Sequence, residues 1–155
     1  MGIIVPEEIV IDHPDVQLNE ISGGQLDPGF INACSLRTAA DSLDICNHGY
    51  TRQFFAAVIN GSLNGIIETR TSDRYESTEI CLAFIGAIEA RKKQKFAVRA
   101  IADYSTIYSP LVFARMEKSD LKLITLFTRS GFDLLDRTEG VTMQYVPSLP
   151  REESA

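Results

Sequence analysis

EICLAFIGAIEARKKQKFAVRAI, residues 79–101, decides how this chain is read. Its first half, Ile80–Ile88, is almost continuously apolar and predicts a buried strand, starting near Thr78, at the centre of a sheet. Gly86 inside that run marks a bulge or a close backbone approach. Arg91-Lys92-Lys93-Gln94-Lys95 then forms a basic elbow. A helix is predicted over Phe96–Tyr108. Its apolar face is Phe96, Ala97, Ala100, Ile101, Tyr104, Ile107 and Tyr108; Lys95, Arg99, Asp103 and Thr106 face away; and Pro110 stops it. Cations at a helix start oppose the helix dipole by a few tenths of a kcal/mol or more each. Several together point to an anionic ligand or partner surface at the elbow; the alternative is a solvated helix start.

The elements on either side are punctuated clearly. QFFAAVI (53–59), Asn60-Gly61 and LNGIIETRT (63–71) form a β-hairpin, with Gly65 marking a bulge or close approach in its second strand. A polar loop, TSDRYES, leads into the central strand. LVFARM (111–116) is a strand, and Ser119 or Asp120 caps a helix that runs to about Arg129 and stops at Gly131. FDLLDR and VTMQYV are the last two strands. Upstream, the spacing of Ile31, Leu36, Ala39, Ala40, Leu43 and Cys46 predicts one amphipathic helix over residues 31–47. Residues 1–30 read as an extended arm broken by turn signals, with one short strand about Ile9-Val10-Ile11. The order is that of an α/β chain: a mixed, mostly antiparallel sheet with helices packed on it.

The 155 residues suit one domain with one core, divided as an acidic arm (1–30), a folded domain (31–147) and a polar tail (148–155). Hydrophobic residues make up 45% and charged residues 23%, which is ordinary for a globular protein, and no run of eighteen apolar residues exists to span a membrane. The N-terminus lacks the basic segment of a secretory signal. Three cysteines (Cys34, Cys46, Cys81) and two histidines (His13, His48), widely spaced, predict neither a disulfide framework nor a metal site, and a cytoplasmic-type reduced protein is expected. The net charge of −6 lies wholly in the first 36 residues, which hold six acids and no base. That arm repels nucleic acid and suits a basic protein partner, or is simply a solvated leader.

Taken together, the order and punctuation resemble the GNAT superfamily of N-acetyltransferases over residues 52–146. FFAAVINGSLNGIIE resembles the family's second and third strands, the long central strand leads through a basic elbow into an apolar helix, and SDLKLITLFTRSGFDLLDR is similar to its last helix with Gly131-Phe132 behind it. The resemblance implies an acetyl-CoA site. The central strand, at Leu82 and Phe84, would splay from its neighbour and hold the thioester carbonyl by a backbone N–H. Elbow and helix-start N–H groups would bind the pyrophosphate, on a family pattern Arg/Gln-x-x-Gly-x-Gly/Ala. The nearest match is Lys92-Lys93-Gln94-Lys95-Phe96-Ala97, with Lys95 in place of Gly. The family's helix Asn and its thiolate-protonating Tyr correspond to Asp120 and Phe127, and Glu79 stands where some members carry a base; it is otherwise a strand-end acid facing solvent.

Residues that serve the fold are kept and residues that serve the cofactor are replaced, so the expectation is a degenerate GNAT-like module, non-catalytic and without cofactor. Such a module would act through protein contacts at the arm and at the basic patch 91–99, within an oligomer or larger assembly such as a phage virion. The alternative is an acetyl-CoA-dependent N-acyltransferase with a divergent phosphate elbow. Nucleic-acid binding is disfavoured because no aromatic platform is interleaved with the bases.

Overall fold

A computed structural model describes residues 9–38, 50–72, 76–86 and 88–147. The hairpin is its backbone. Strand β3 (Tyr50–Ile59) and strand β4 (Ser62–Ser72) are joined by Asn60 (φ 56°) and Gly61 (φ 82°), the left-handed pair that matches the twist of two antiparallel strands. Pairing slips by one residue between Ala57↔Gly65 and Val58↔Leu63, which leaves Asn64 as a bulge. Strand β5 (Ser77–Phe84) lies along the other edge of β4. Phe84 requires Gly65 there: a Cβ on Gly65 would sit 1.6 Å from the Phe84 ring and 2.7 Å from the Ala83 oxygen.

Around this centre the main sheet order is β1-β3-β4-β5-β6-β8-β7, with β1 Val16–Ile21, β6 Leu111–Met116, β7 Phe132–Asp136 and β8 Val141–Tyr145. Among the described residues only β5 and β6 run parallel, as their crossover through helix α2 (Ile88–Ser105) requires. The acidic leader enters the sheet: the strand expected about Ile9–Ile11 lies instead at Val16–Ile21, with Val16 and Leu18 buried. The helix expected over 31–47 is the short α1 (Pro28–Ala33), followed by a two-residue strand β2 (Leu36–Arg37); residues 39–49 lie outside the described residues.

One sheet face is apolar. Phe55, Ile67 and Leu82 stand in register across three strands, continued by Ile80, Phe84, Val112, Ala114 and Met143. Helix α2 packs on this face with Ala97, Val98, Ile101 and Tyr104 buried, and helix α3 (Leu121–Arg129) adds Leu123, Leu126 and Phe127. The other face is charged. Glu68, fully buried, takes hydrogen bonds from Arg52 Nε across the hairpin and from Arg70 Nε (2.9 Å), and Glu79 pairs with Arg115 on β6. Such cross-strand pairs hold register only while both partners are present.

Helix α2 departs most from expectation. It starts at Ile88, so Arg91–Lys95 lie inside its first turns, and the chain leaves β5 through Ile85 and Gly86. The apolar run that read as strand contains both the end of β5 and the start of α2. Arg99, expected to face away, is buried, with Nη2 donating to the Arg129 oxygen (3.1 Å) at the end of α3. A cation there suits the helix dipole. No described helix is long and apolar enough to cross a membrane.

Candidate functional site

Beyond Glu79↔Phe113 strands β5 and β6 part company, and the sheet opens toward the two helices. A groove of about 470 Å³ lies there between α2 and α3. From α2 come Arg91, Lys92 and Lys95, and from α3 Lys122 and Arg129, while among the described residues no acidic side chain lines it. Leu36, Leu121 and Leu126 form its apolar wall. Five cations facing one concavity concentrate positive potential and attract an anion.

Gln94 sits between these cations and the sheet. It is fully buried, and its Nε2 donates to Asn64 Oδ1 (2.8 Å) and to the Ile85 oxygen (2.8 Å). Asn64 is free to accept because it is the bulge residue of β4, and its own carbonyl accepts the N–H of Ile85 (2.9 Å). The bulge thereby ties the elbow after β5 to α2. Among the described residues Gln94 Oε1 and Arg91 Nε find no partner, as is also true of Arg52 Nη2, Glu68 Oε1 and Thr69 Oγ1 on the charged sheet face.

The residues expected from sequence separate into distinct places. Lys92, Gln94 and Lys95 line the groove. Lys93 turns away, its Nζ donating to Asp15 Oδ2 (3.0 Å) and Asn60 Oδ1 (2.5 Å), and so pins the leader and the hairpin turn to α2. That contact holds the Asp15 carboxyl below its usual range, first through the hydrogen bond and then through the charge of Lys93. Phe96 packs on His13, ring centroids 5.0 Å apart, with Lys95 and Arg99 near its face, and Ala97 is core. Asp120 is the N-cap residue of α3, yet its side chain makes no cap bond; burial, then Glu117, raises its carboxyl pKa. Phe127 is fully buried, edge-on to Phe132 at 4.9 Å. Lys122, Thr125 and Arg129 were not singled out from the sequence, although their spacing puts them on one face of α3.

Glu79 is not a solvent-facing acid. It is buried on the charged sheet face, away from α2, and both carboxylate oxygens accept from Arg115: Oε2 from Nε at 2.8 Å and Oε1 from Nη2 at 2.9 Å. Its neighbour Cys81, also buried, has its pKa pushed up to about 12, by burial first and by Glu79 second, so it is an inert thiol. The described residues contain no cluster of side chains able to hold a metal ion.

Whether an acyl-coenzyme A fits can be judged in two halves. The nucleotide phosphates fit the groove, through side chains only. From Lys92 onward the α2 N–H groups are spent on carbonyls one turn back, so residues 92–97 offer no backbone cradle. The acyl-bearing arm would fit only with β2 displaced from the β5 edge. An arm running from the groove along β5 meets β2, which pairs with β5 at Leu36↔Phe84 and Arg37↔Ala83.

No family model matches the chain, and no curated protein does. Solved structures do, and they define the class: this is the fold of the GNAT acetyltransferases. AAC(6′)-Ib in complex with ribostamycin and coenzyme A superposes with a TM-score of 0.63 at 12% identity, covering 85% of this chain and 93% of that one. Mutant forms of the spermidine/spermine N-acetyltransferase SpeG from Vibrio cholerae give 0.59 at 15% identity over 86% and 94%. A GNAT family acetyltransferase from Elizabethkingia anophelis with acetyl-CoA bound gives 0.58 at 13% over 85% and 96%. At these identities the likeness is one of fold.

Proposed function

We propose that this chain binds an acyl-coenzyme A through the groove between α2 and α3 and serves as an N-acyltransferase with a side-chain phosphate cradle. One observation carries the reading: five cations and, among the described residues, no acid line a groove at the point where β5 and β6 separate. Arg91, Lys92 and Lys95 would hold phosphates from one wall, with Lys122 and Arg129 on the other. When bound, the cofactor supplies an activated thioester. Amines are the acceptor class this fold suggests, since the neighbouring structures include a spermidine/spermine N-acetyltransferase. Glu79 would act as base only by giving up one of its bonds to Arg115.

Calorimetric titration with coenzyme A tests the binding step. Saturable binding is expected, weakened at least about tenfold by Lys92→Glu combined with Lys122→Glu and weakened further by salt, as for any phosphate held by side-chain charge. Unaltered affinity in that variant, or no saturable binding at millimolar ligand, refutes the reading.

A second reading is favoured by two particular residues. Phe127, buried against Phe132, offers no proton to a departing thiolate, and Glu79 is fully engaged by Arg115. On this reading the chain is a non-catalytic module of an assembly, a phage virion among the candidates, contacting protein partners through its leader and its basic patch. Binding of coenzyme A without thiol release from acetyl-CoA across a panel of polyamines selects this reading over the first.

A further inference from the structure

We infer that residues 34–38 are an intramolecular strap, seated on the open edge of β5 in place of the amide-bearing arm of a ligand held in the basic groove. The inference rests on the groove binding the ligand's phosphates, as proposed above.

The strap is held as a sheet partner, not as a passing loop. Leu36 and Arg37 pair antiparallel with Phe84 and Ala83, and the pairing lies on the β5 edge that β6 leaves after Glu79. Thr38 partners both backbone groups of Leu82. Its N–H donates to the Leu82 oxygen (3.1 Å), and its Oγ1 accepts from the Leu82 N–H (3.1 Å). Ser35 rests on the elbow, its Oγ 2.3 Å from where a Cβ on Gly86 would be. Cys34, Leu36 and Thr38 are all buried, and Leu36 also forms part of the groove wall. The strap and the groove therefore share a boundary, and whatever extends from the groove toward the sheet must displace the strap.

The exchange balances chemically. A buried N–H and C=O must stay paired, and Thr38 offers Leu82 one acceptor and one donor. A secondary amide in an extended ligand offers the same two groups. A linear chain of amides, such as the arm of coenzyme A, can replace the strap without leaving Leu82 unpaired, whereas a nucleotide without an arm cannot. The strap thus discriminates between ligands that share the same phosphates.

The test compares coenzyme A with phospho-ADP, its nucleotide half, in the full chain and two variants. Thr38→Val removes the hydroxyl acceptor, orphans the Leu82 N–H in the closed form and weakens the strap. Affinity for coenzyme A should rise about fivefold, that for phospho-ADP should stay unchanged, and the Leu82 amide should exchange its hydrogen faster. Arg37→Cys with Ala83→Cys lies on a non-hydrogen-bonded cross-strand pair, and an oxidised bridge there locks the strap. It should abolish the advantage of coenzyme A over phospho-ADP until reductant is added. If both ligands bind with one unchanging ratio in all three forms, the strap is overturned and the groove reading stands. If neither binds in any form, the groove reading fails and the strap's role as ligand competitor falls with it.

Discussion

Gly65→Ala should be among the most damaging small substitutions in this chain. The added methyl would sit 1.6 Å from Phe84 Cδ1, 2.2 Å from Cε1 and 2.7 Å from the Ala83 oxygen. These contacts lie far inside van der Waals separation, so the Phe84 ring must leave its place across β4. The ring is fully buried, and a neighbouring strand carbonyl blocks the other direction. Overpacking of this kind costs about 1–3 kcal/mol, and expulsion of a buried Phe carries the cost toward 3–5 kcal/mol. We expect about 3 kcal/mol, which for a chain of this size lowers Tm by roughly 6–12 °C. Urea denaturation measures it, read as a fall in the midpoint at unchanged slope. Phe84→Leu should cost stability in the wild-type background but much less on top of Gly65→Ala, because both act on the same space. A single-mutant loss below about 0.5 kcal/mol, or strict additivity in the double mutant, refutes the packing argument.

Arg115→Ala strands the buried Glu79; because the guanidinium is half exposed, the loss is about 1–2 kcal/mol instead of the full cost of breaking a buried pair, checked by denaturant melts. Cys81, its pKa pushed up to about 12, should resist iodoacetamide in native protein at mildly alkaline pH and react promptly once unfolded, as peptide mapping reads. Lys93 lowers the Asp15 pKa in the fold, so this pair stabilises at pH above the unfolded carboxyl value and loses that contribution as pH falls through the folded one; Lys93→Ala should move the Asp15 titration upward by NMR and flatten stability in that acid window. Lys95→Gly with Phe127→Tyr should destabilise the fold without creating a cofactor cradle. The first weakens a helix interior by about 1 kcal/mol, and the second places a hydroxyl in the core among Phe132 and its neighbours; melting curves and coenzyme A titration check both halves.

The hairpin was legible because Asn60-Gly61 dictates its own geometry, and LVFARM coincides with β6 because it is a short apolar run directly after the helix stop at Pro110. The helix start was not. Ile85–Ile88 is an apolar run too short to distinguish strand from helix, so the basic cluster read as an elbow when it is the first turns of α2. Strand β2 has no local signal at all: two residues pair because Thr38 reaches Leu82, 44 positions away. Half of the groove was readable, since Arg91, Lys92 and Lys95 are adjacent in sequence. Lys122 and Arg129 joined them only when α3 packed beside α2. Burial of Glu68 and Glu79 was also unreadable, because their partners Arg52, Arg70 and Arg115 lie on strands whose pairing had first to be known.

On the proposed function, the groove between α2 and α3 receives the phosphates of an acyl-coenzyme A. Backbone-amide NMR of the full chain, titrated with coenzyme A, tests it most directly. Saturable shifts are expected at Arg91, Lys92, Lys95, Lys122, Thr125 and Arg129, with the charged sheet face about Arg52 and Glu68 unmoved. Shifts centred on that face, or none in the groove at saturating ligand, contradict it.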